Sequence, residues 1–276
     1  MRIGFLGPAG TFTEEALRAE VPVDSNQLVP GNSIAEVLSA AQRGDTDKGI
    51  VAIENSIEGS VNTTLDMLAF EVDLLIEKEI IRPISHNLIG HEGTRAGELG
   101  RIISHPQATA QCRNYLSREY PKAKVEAANS TAEAVSMVAA QSQRDVAAIG
   151  TVLAAKLYGL QVLQRNIQDF EDNRTRFILV GREKVPRSGF DKTSIVCFIY
   201  EDRPGSLSEI LQEFAARNIN LTKIQSRPTR KALGDYCFFL DLEGHIEDEP
   251  VSAALDSLGS KLRHVKFLGS YPRAKT

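Results

Sequence analysis

Through about residue 182, short apolar runs alternate with longer stretches in which apolar positions recur every three or four residues. The runs at 3–6, 50–53, 101–104, 124–127, 146–149 and 177–180 read as strands. The stretches at about 12–19, 61–69, 106–118, 131–141 and 152–157 read as helices. This alternation predicts α/β layers with mostly parallel strands. Helix starts are marked. Thr11 with Glu14, and Ser130 with Glu133, have capping-box spacing, and Pro106 suits a first helical position, where an N–H is not needed. Several helix N-termini should therefore lie just beyond strand ends, where open α/β sheets bind ligands.

Residues 181–190 are charged and carry Pro and Gly, which reads as a linker. Beyond it the pattern changes to a strand at 193–200, a helix at 206–217, strands at 220–227 and 236–242, a helix at 250–262 and a strand at 265–268. The order β-α-β-β-α-β is the ferredoxin-like arrangement.

With 276 residues, 42% hydrophobic and 25% charged, the chain has room for two domains. A formal charge of −4 gives no general attraction for nucleic acid or an anionic membrane, so an anionic ligand needs a local field. Cys112, Cys197 and Cys237 include no CxxC pair; buried thiols and a reducing compartment are expected. The N-terminus enters a strand at once, so no signal peptide is expected. No apolar stretch approaches the ~20 residues of a membrane span, and a cytoplasmic location follows as the expectation. His86, His91, His245 and His264 show no metal-ligand spacing, and no nucleophile elbow is present. The Gly-rich start, Gly4 through Gly10, lacks the spacing of a dinucleotide loop.

Three polar runs carry the candidate chemistry. Residues 54–62 lie between an apolar strand and a helix, with Gly59 and Ser60 suited to a turn and N-cap. They are either a capped loop or a set of amide and hydroxyl donors facing a cleft. Residues 104–112 place Gln107 and Gln111 on one helix face, for solvent or for a polar ligand, and His105 suits a turn or capping role. In residues 173–177 the two arginines are either exposed in a loop, or Arg176 supplies positive charge that the acidic chain otherwise lacks.

The same segments resemble the prephenate dehydratase family: Gly7-Pro-Ala-Gly-Thr-Phe-Thr-Glu-Glu-Ala16, Ile53-Glu-Asn-Ser-Ile-Glu-Gly-Ser-Val61, Ser104-His-Pro-Gln-Ala108 with Gln111-Cys112, and Asn173-Arg-Thr-Arg-Phe177, in the family's order. The C-terminal part resembles an ACT domain, with Pro204-Gly205-Ser206-Leu207 and Gln225-Ser226-Arg227-Pro228 at its effector motifs. Gln225 stands where that family has Glu, and Ser206 and Ser208 lie in a loop that is usually more apolar.

The resemblance implies a catalytic region at 1–182 with two lobes like type 2 periplasmic binding proteins. Lobe 1 is expected at about 1–75 plus 155–182 and lobe 2 at about 76–154, followed by a linker at 183–192 and the ACT domain at 193–276. It implies decarboxylating dehydration of prephenate to phenylpyruvate, in phenylalanine biosynthesis, with no cofactor. Thr175 is the implied hydrogen-bond donor to the departing hydroxyl. Thr11, Asn55, Ser56, Ser104, Gln111, Arg176 and Phe177 are the implied substrate-binding residues, Arg176 serving the carboxylates. Phenylalanine as effector would meet Gly205, Ser206, Leu207, Gln225, Ser226, Arg227 and Pro228, and the ACT domains would self-associate as a dimer or dimer of dimers. Residue 1 already lies in the catalytic region, so no fused chorismate mutase is expected. The alternatives are an arogenate dehydratase, which side-by-side kinetics would separate, and a non-catalytic amino-acid sensor, against which Thr175 argues.

Overall fold

The computed structural model describes residues 1–22, 25–201, 203–230 and 235–274. Its first part lays down β1 (Arg2–Leu6), α1 (Phe12–Glu20), β2 (Gln27–Gly31), α2 (Ile34–Arg43), β3 (Lys48–Asn55), the short β4 (Gly59–Ser60), α3 (Asn62–Asp66) and β5 (Leu75–Pro83). The chain then builds β6 (Asn87–Gly90), β7 (Arg101–Ser104), α4 (Pro106–Gln111), α5 (Arg113–Glu119), β8 (Lys124–Ala127), α6 (Thr131–Ala139), β9 (Val146–Gly150), α7 (Val152–Leu157) and β10 (Gln161–Gln164). It returns along β11 (Arg174–Gly181). The last part is β12 (Asp191–Phe198), α8 (Ser206–Ala215), β13 (Leu221–Pro228), β14 (Tyr236–Glu243), α9 (Glu249–Lys261) and β15 (His264–Pro272).

Three sheets result. The first has the order β2-β1-β3-β11-β5 with β4 hydrogen-bonded to β3, the second β10-β6-β9-β7-β8, and the third β13-β14-β12-β15. Parallel pairing holds for β1 with β2 and β3, and for β7 with β8 and β9. The strands next to the crossings, β5, β6, β10 and β11, pair antiparallel.

The lobe boundaries differ from the sequence expectation. Residues 75–83 belong to the first sheet because β5 pairs with β11 along its whole length, and residues 161–164 belong to the second because β10 pairs with β6. The chain therefore crosses between sheets at 84–86 and 165–173, not near 75 and 155.

The capping pairs form in a modified way. Thr11 Oγ1 accepts from Glu14 N at 3.3 Å and Ser130 Oγ from Glu133 N at 3.0 Å. Each glutamate, however, reaches the amide before the cap, Gly10 N or Asn129 N, both at 2.6 Å. The third sheet is not a loosely tethered appendage. One apolar core joins Ile76, Ile178 and Val180 of the first sheet to Val196, Phe239, Leu268 and Tyr271 of the third. At the closest approach Gly269 lies against the backbone of Ile76 with φ at 135°, where a Cβ would collide with that strand.

Candidate active site

At the start of β11, Thr175 stands opposite Asn55 on one side and Arg82 on the other. Directly opposed residues project from the same face of a sheet, so these three side chains share a face. Thr175 is 7% exposed. Asn55 Oδ1 accepts from the amides of Ile57 and Glu58, both at 3.0 Å, which holds the 56–58 turn and fixes the orientation of the side-chain amide. Its Nδ2 donates to Thr175 Oγ1 at 2.8 Å and to Asn173 Oδ1 at 2.8 Å. Asn173 Nδ2 donates to Gln111 Oε1 at 2.8 Å, and Gln111 Nε2 donates to Glu58 Oε1 at 3.1 Å. A ring of polar groups thus ties β3 and β11 of the first sheet to α4 of the second.

The ring has a chemical consequence. Asn55 occupies a lone pair of the Thr175 oxygen, and among the described residues no acceptor takes the Thr175 proton. A hydroxyl that accepts a hydrogen bond is a stronger donor through its own O–H, more so away from water. The Thr175 O–H is therefore available to donate.

His86 completes the arrangement. It is 3% exposed, Phe12 packs edge-on against its ring at 5.4 Å, and its Nε2 lies 2.9 Å from Gln111 Oε1. Burial lowers its pKa below the ordinary 6.5, and the bond to Gln111 opposes this only in part. The neutral ring then carries its proton on Nε2, leaving Nδ1 buried and without a partner.

A cavity of about 430 Å³ between the lobes is lined by Phe12, Glu15, Arg82, Asn87, Val152 and Arg165, among others, while Thr175, Asn55, Asn173 and Gln111 lie outside its lining. Burial raises the Glu15 carboxyl above the usual range, while Arg82 pulls it back. Arg176 itself turns to the opposite face. Its Nε donates to Glu79 Oε2 at 2.8 Å, its Nη1 to Asp241 Oδ2 at 2.5 Å and its Nη2 to the Tyr271 hydroxyl at 2.8 Å. The expected role toward a substrate carboxylate is therefore corrected: successive strand residues face opposite sides, and the third sheet covers this one. Phe177 is corrected too. The register shifts after Arg176, and Phe177 packs into the core with Ile3, Phe5 and Ile80.

Other expected residues are engaged with backbone. The Thr11 hydroxyl donates to Leu6 O at 2.8 Å while capping α1. Ser56 Oγ donates to Asp172 O at 3.1 Å and accepts from Arg174 N at 2.9 Å, lacing the turn to β11. Ser104, fully buried, donates to Ile149 O at 2.9 Å across the second sheet. His105 caps α4 through Nδ1, and Gln107 is exposed apart from Gln111. Asn173, Glu58 and His86 had no role read for them from sequence. The first two lie inside the quoted motifs; nothing local marks His86.

In the third sheet Gly205 sits at the N-cap of α8 in left-handed conformation, Ser206 donates to Arg203 O at 2.9 Å, and Leu207 packs on the local core. On β13 the residues alternate. Ser226 and Pro228 are exposed. Gln225 Oε1 accepts from Ser60 at 3.2 Å, and Arg227 holds both oxygens of Asp66 at 2.7 and 2.8 Å. As four effector contacts on one surface these residues do not come together: two face outward and two grip the first lobe.

The comparisons place this geometry among known proteins. The sequence pattern of the prephenate dehydratase family matches residues 3–185, and that of the ACT domain matches residues 193–260. A prephenate dehydratase of Mycolicibacterium vanbaalenii is 42% identical over 288 residues, covering 98% of this chain and 90% of that one. The crystal structure of a prephenate dehydratase from Arthrobacter aurescens in complex with L-Phe superposes with a TM-score of 0.92 at 40% identity, covering 99% of this chain and 90% of that one. A solved structure described as a novel type of quorum quenching acylase, GqqA, superposes with a TM-score of 0.88 at 29% identity, covering 99% and 98%.

Proposed function

The chain belongs to the prephenate dehydratase family, and from that premise we propose that it converts prephenate to phenylpyruvate with Thr175 as donor to the departing hydroxyl, under control of phenylalanine. Prephenate carries two carboxylates and a ring hydroxyl; losing CO2 and hydroxide together leaves an aromatic ring. The step is downhill, and the barrier lies in expelling a poor leaving group from a dianion held in the right pose.

The observation that carries the reading is the Thr175 oxygen, pinned by Asn55, with no acceptor for its proton among the described residues. Such a donor acts by placement in a water-poor site more than by acidity. Arg82, which opposes Thr175 on β5 and lines the cavity together with Arg165, is the proposed source of positive potential for a carboxylate. Interactions accelerate chemistry only where they strengthen toward the transition state, so the tighter charged contact belongs on the retained pyruvyl carboxylate. Asn55, Asn173 and Gln111 hold the donor and present amides to the substrate. Thr11, Ser56 and Ser104 shape the loops that frame it. The buried cysteines add no nucleophile: burial pushes the thiols of Cys112 and Cys197 up to about 12 and that of Cys237 to about 11.

Regulation is read from the ACT fold and from the L-Phe bound in the Arthrobacter structure. An effector acts only through different affinities for two states. The edge position of β13, with Ile224 at 47% exposed, supports self-association through this sheet.

The test is direct. Purified chain incubated with prephenate should form phenylpyruvate, faster than it forms phenylalanine from arogenate, and added phenylalanine should slow it. Hydrolysis of an acylated substrate with prephenate untouched would instead support the activity of the acylase relative.

A further inference from the structure

The rung of the β3–β11 ladder next to Thr175 and Asn55 is formed by Arg176 and Glu54. Adjacent residues of a strand face opposite sides, so one rung serves the site and the next meets the ACT sheet. That sheet grips the second rung at both ends. Lys223 of β13 holds Glu54 Oε2 at 2.9 Å, and Glu54 lies 3.8 Å from Arg176 Nη1. Asp241 of β14 and Tyr271 of β15 take the two terminal nitrogens of Arg176. Glu79 takes its Nε and also binds Lys192 Nζ at 2.7 Å. Ser194 joins Asp241 and Tyr271, both at 2.5 Å.

The cluster is buried: Arg176 is 8% exposed, Lys192 8%, Asp241 5%, Glu79 3% and Tyr271 0%. Burial alone would raise the Asp241 carboxyl, but Arg176 and Ser194 hold it below the usual carboxylate range. Burial likewise pushes the Tyr271 hydroxyl up, so it stays protonated. Buried charge is a poor source of stability compared with apolar packing, whereas a guanidinium held at all three nitrogens fixes position and direction. Arg176 follows Thr175 directly, its Cα about 3.8 Å along the chain from the Cα that bears the proposed donor. The bulge after Arg176 frees the following residues from that register.

We propose that Asp241 and Tyr271 are positioning residues for the dehydration. Through Arg176 they set the strand that presents Thr175, and this grip is the route by which the ACT sheet acts on the site. The inference rests on the reading of Thr175 as donor. Two states of the ACT sheet that differ in how they hold Arg176 would place the hydroxyl differently, and small misplacements of a donor cost turnover more than binding.

The test uses the full chain with Tyr271→Phe and, as the more disruptive variant, Asp241→Asn. Steady-state kinetics on prephenate, inhibition by phenylalanine and calorimetric binding of phenylalanine are measured on each. Tyr271→Phe is expected to lower kcat about 10-fold with KM changed by no more than about twofold. Phenylalanine should still bind it with wild-type affinity while inhibiting it several-fold less. If Thr175→Ala turns over as fast as wild type, the donor reading falls and this inference with it. If Thr175→Ala is impaired while Tyr271→Phe and Asp241→Asn keep wild-type kcat and wild-type inhibition, the donor reading stands and the positioning role is overturned.

Discussion

His86 is a buried ring whose one hydrogen bond among the described residues orients Gln111. Its Nε2–H and the Asn173 amide both point at Gln111 Oε1, which leaves the Gln111 amide to face Glu58. Burial lowers the pKa of His86, so below the ordinary value of 6.5 the unfolded chain binds a proton that the folded chain resists. Stability should therefore fall as pH drops below 6.5 and level off once pH passes the folded value. In His86→Gln, which keeps a donor toward Gln111, melting temperature should lose part of that acid-side slope. An unchanged slope would show that His86 is not the group responsible. The sequence could not reveal this residue, because Gln111 lies 25 positions away on α4, whereas His86 sits in the crossing before β6. Asn55 and Gln111 each sit in a polar run at a strand or helix end, which marks them as candidates in the sequence. Arg176 was misread because the face it occupies is decided by a sheet that the chain builds only after residue 190.

At the scale of elements, local chemistry was the most legible. Pro106 at the start of α4 and the β-α-β-β-α-β order of the last part appear as read, and Thr11 and Ser130 cap their helices although Glu14 and Glu133 bind the amide one residue earlier than a capping box requires. Which sheet a strand joins was not legible, because β5 and β10 are recruited by partners distant in sequence. Ser104 links the two cases. Its resemblance-based role is substrate contact, yet its hydroxyl bridges β7 to Ile149 on β9. Ser104→Ala should cost about 1 kcal/mol, more if Ile149 O is left unpaired. Chemical denaturation would measure this, and a loss of turnover with full stability would restore the direct substrate role.

At the scale of the whole molecule, the decisive feature is the core shared by the first and third sheets. A regulatory domain joined only by a linker could influence catalysis little. Here β15 packs on β5 and charged residues of the third sheet clasp the Arg176–Glu54 rung, so the two sheets form one packed unit. Gly269→Ala should therefore be felt globally: its Cβ meets the Ile76 backbone at a φ that disfavours a side chain. A loss of about 1–3 kcal/mol is expected, read as a lower melting temperature together with weaker response to phenylalanine. Unchanged melting and unchanged response would mean that the two sheets do not act as one unit.

The proposed chemistry has the Thr175 proton, with no acceptor among the described residues, assisting the departing hydroxyl. Turnover of saturating prephenate by Thr175→Ala and Thr175→Ser, followed by the appearance of phenylpyruvate, tests it most directly. Thr175→Ala should be slower by about 10²-fold or more, with little change in KM, and Thr175→Ser should keep part of the activity. Near-wild-type turnover by Thr175→Ala would contradict the account.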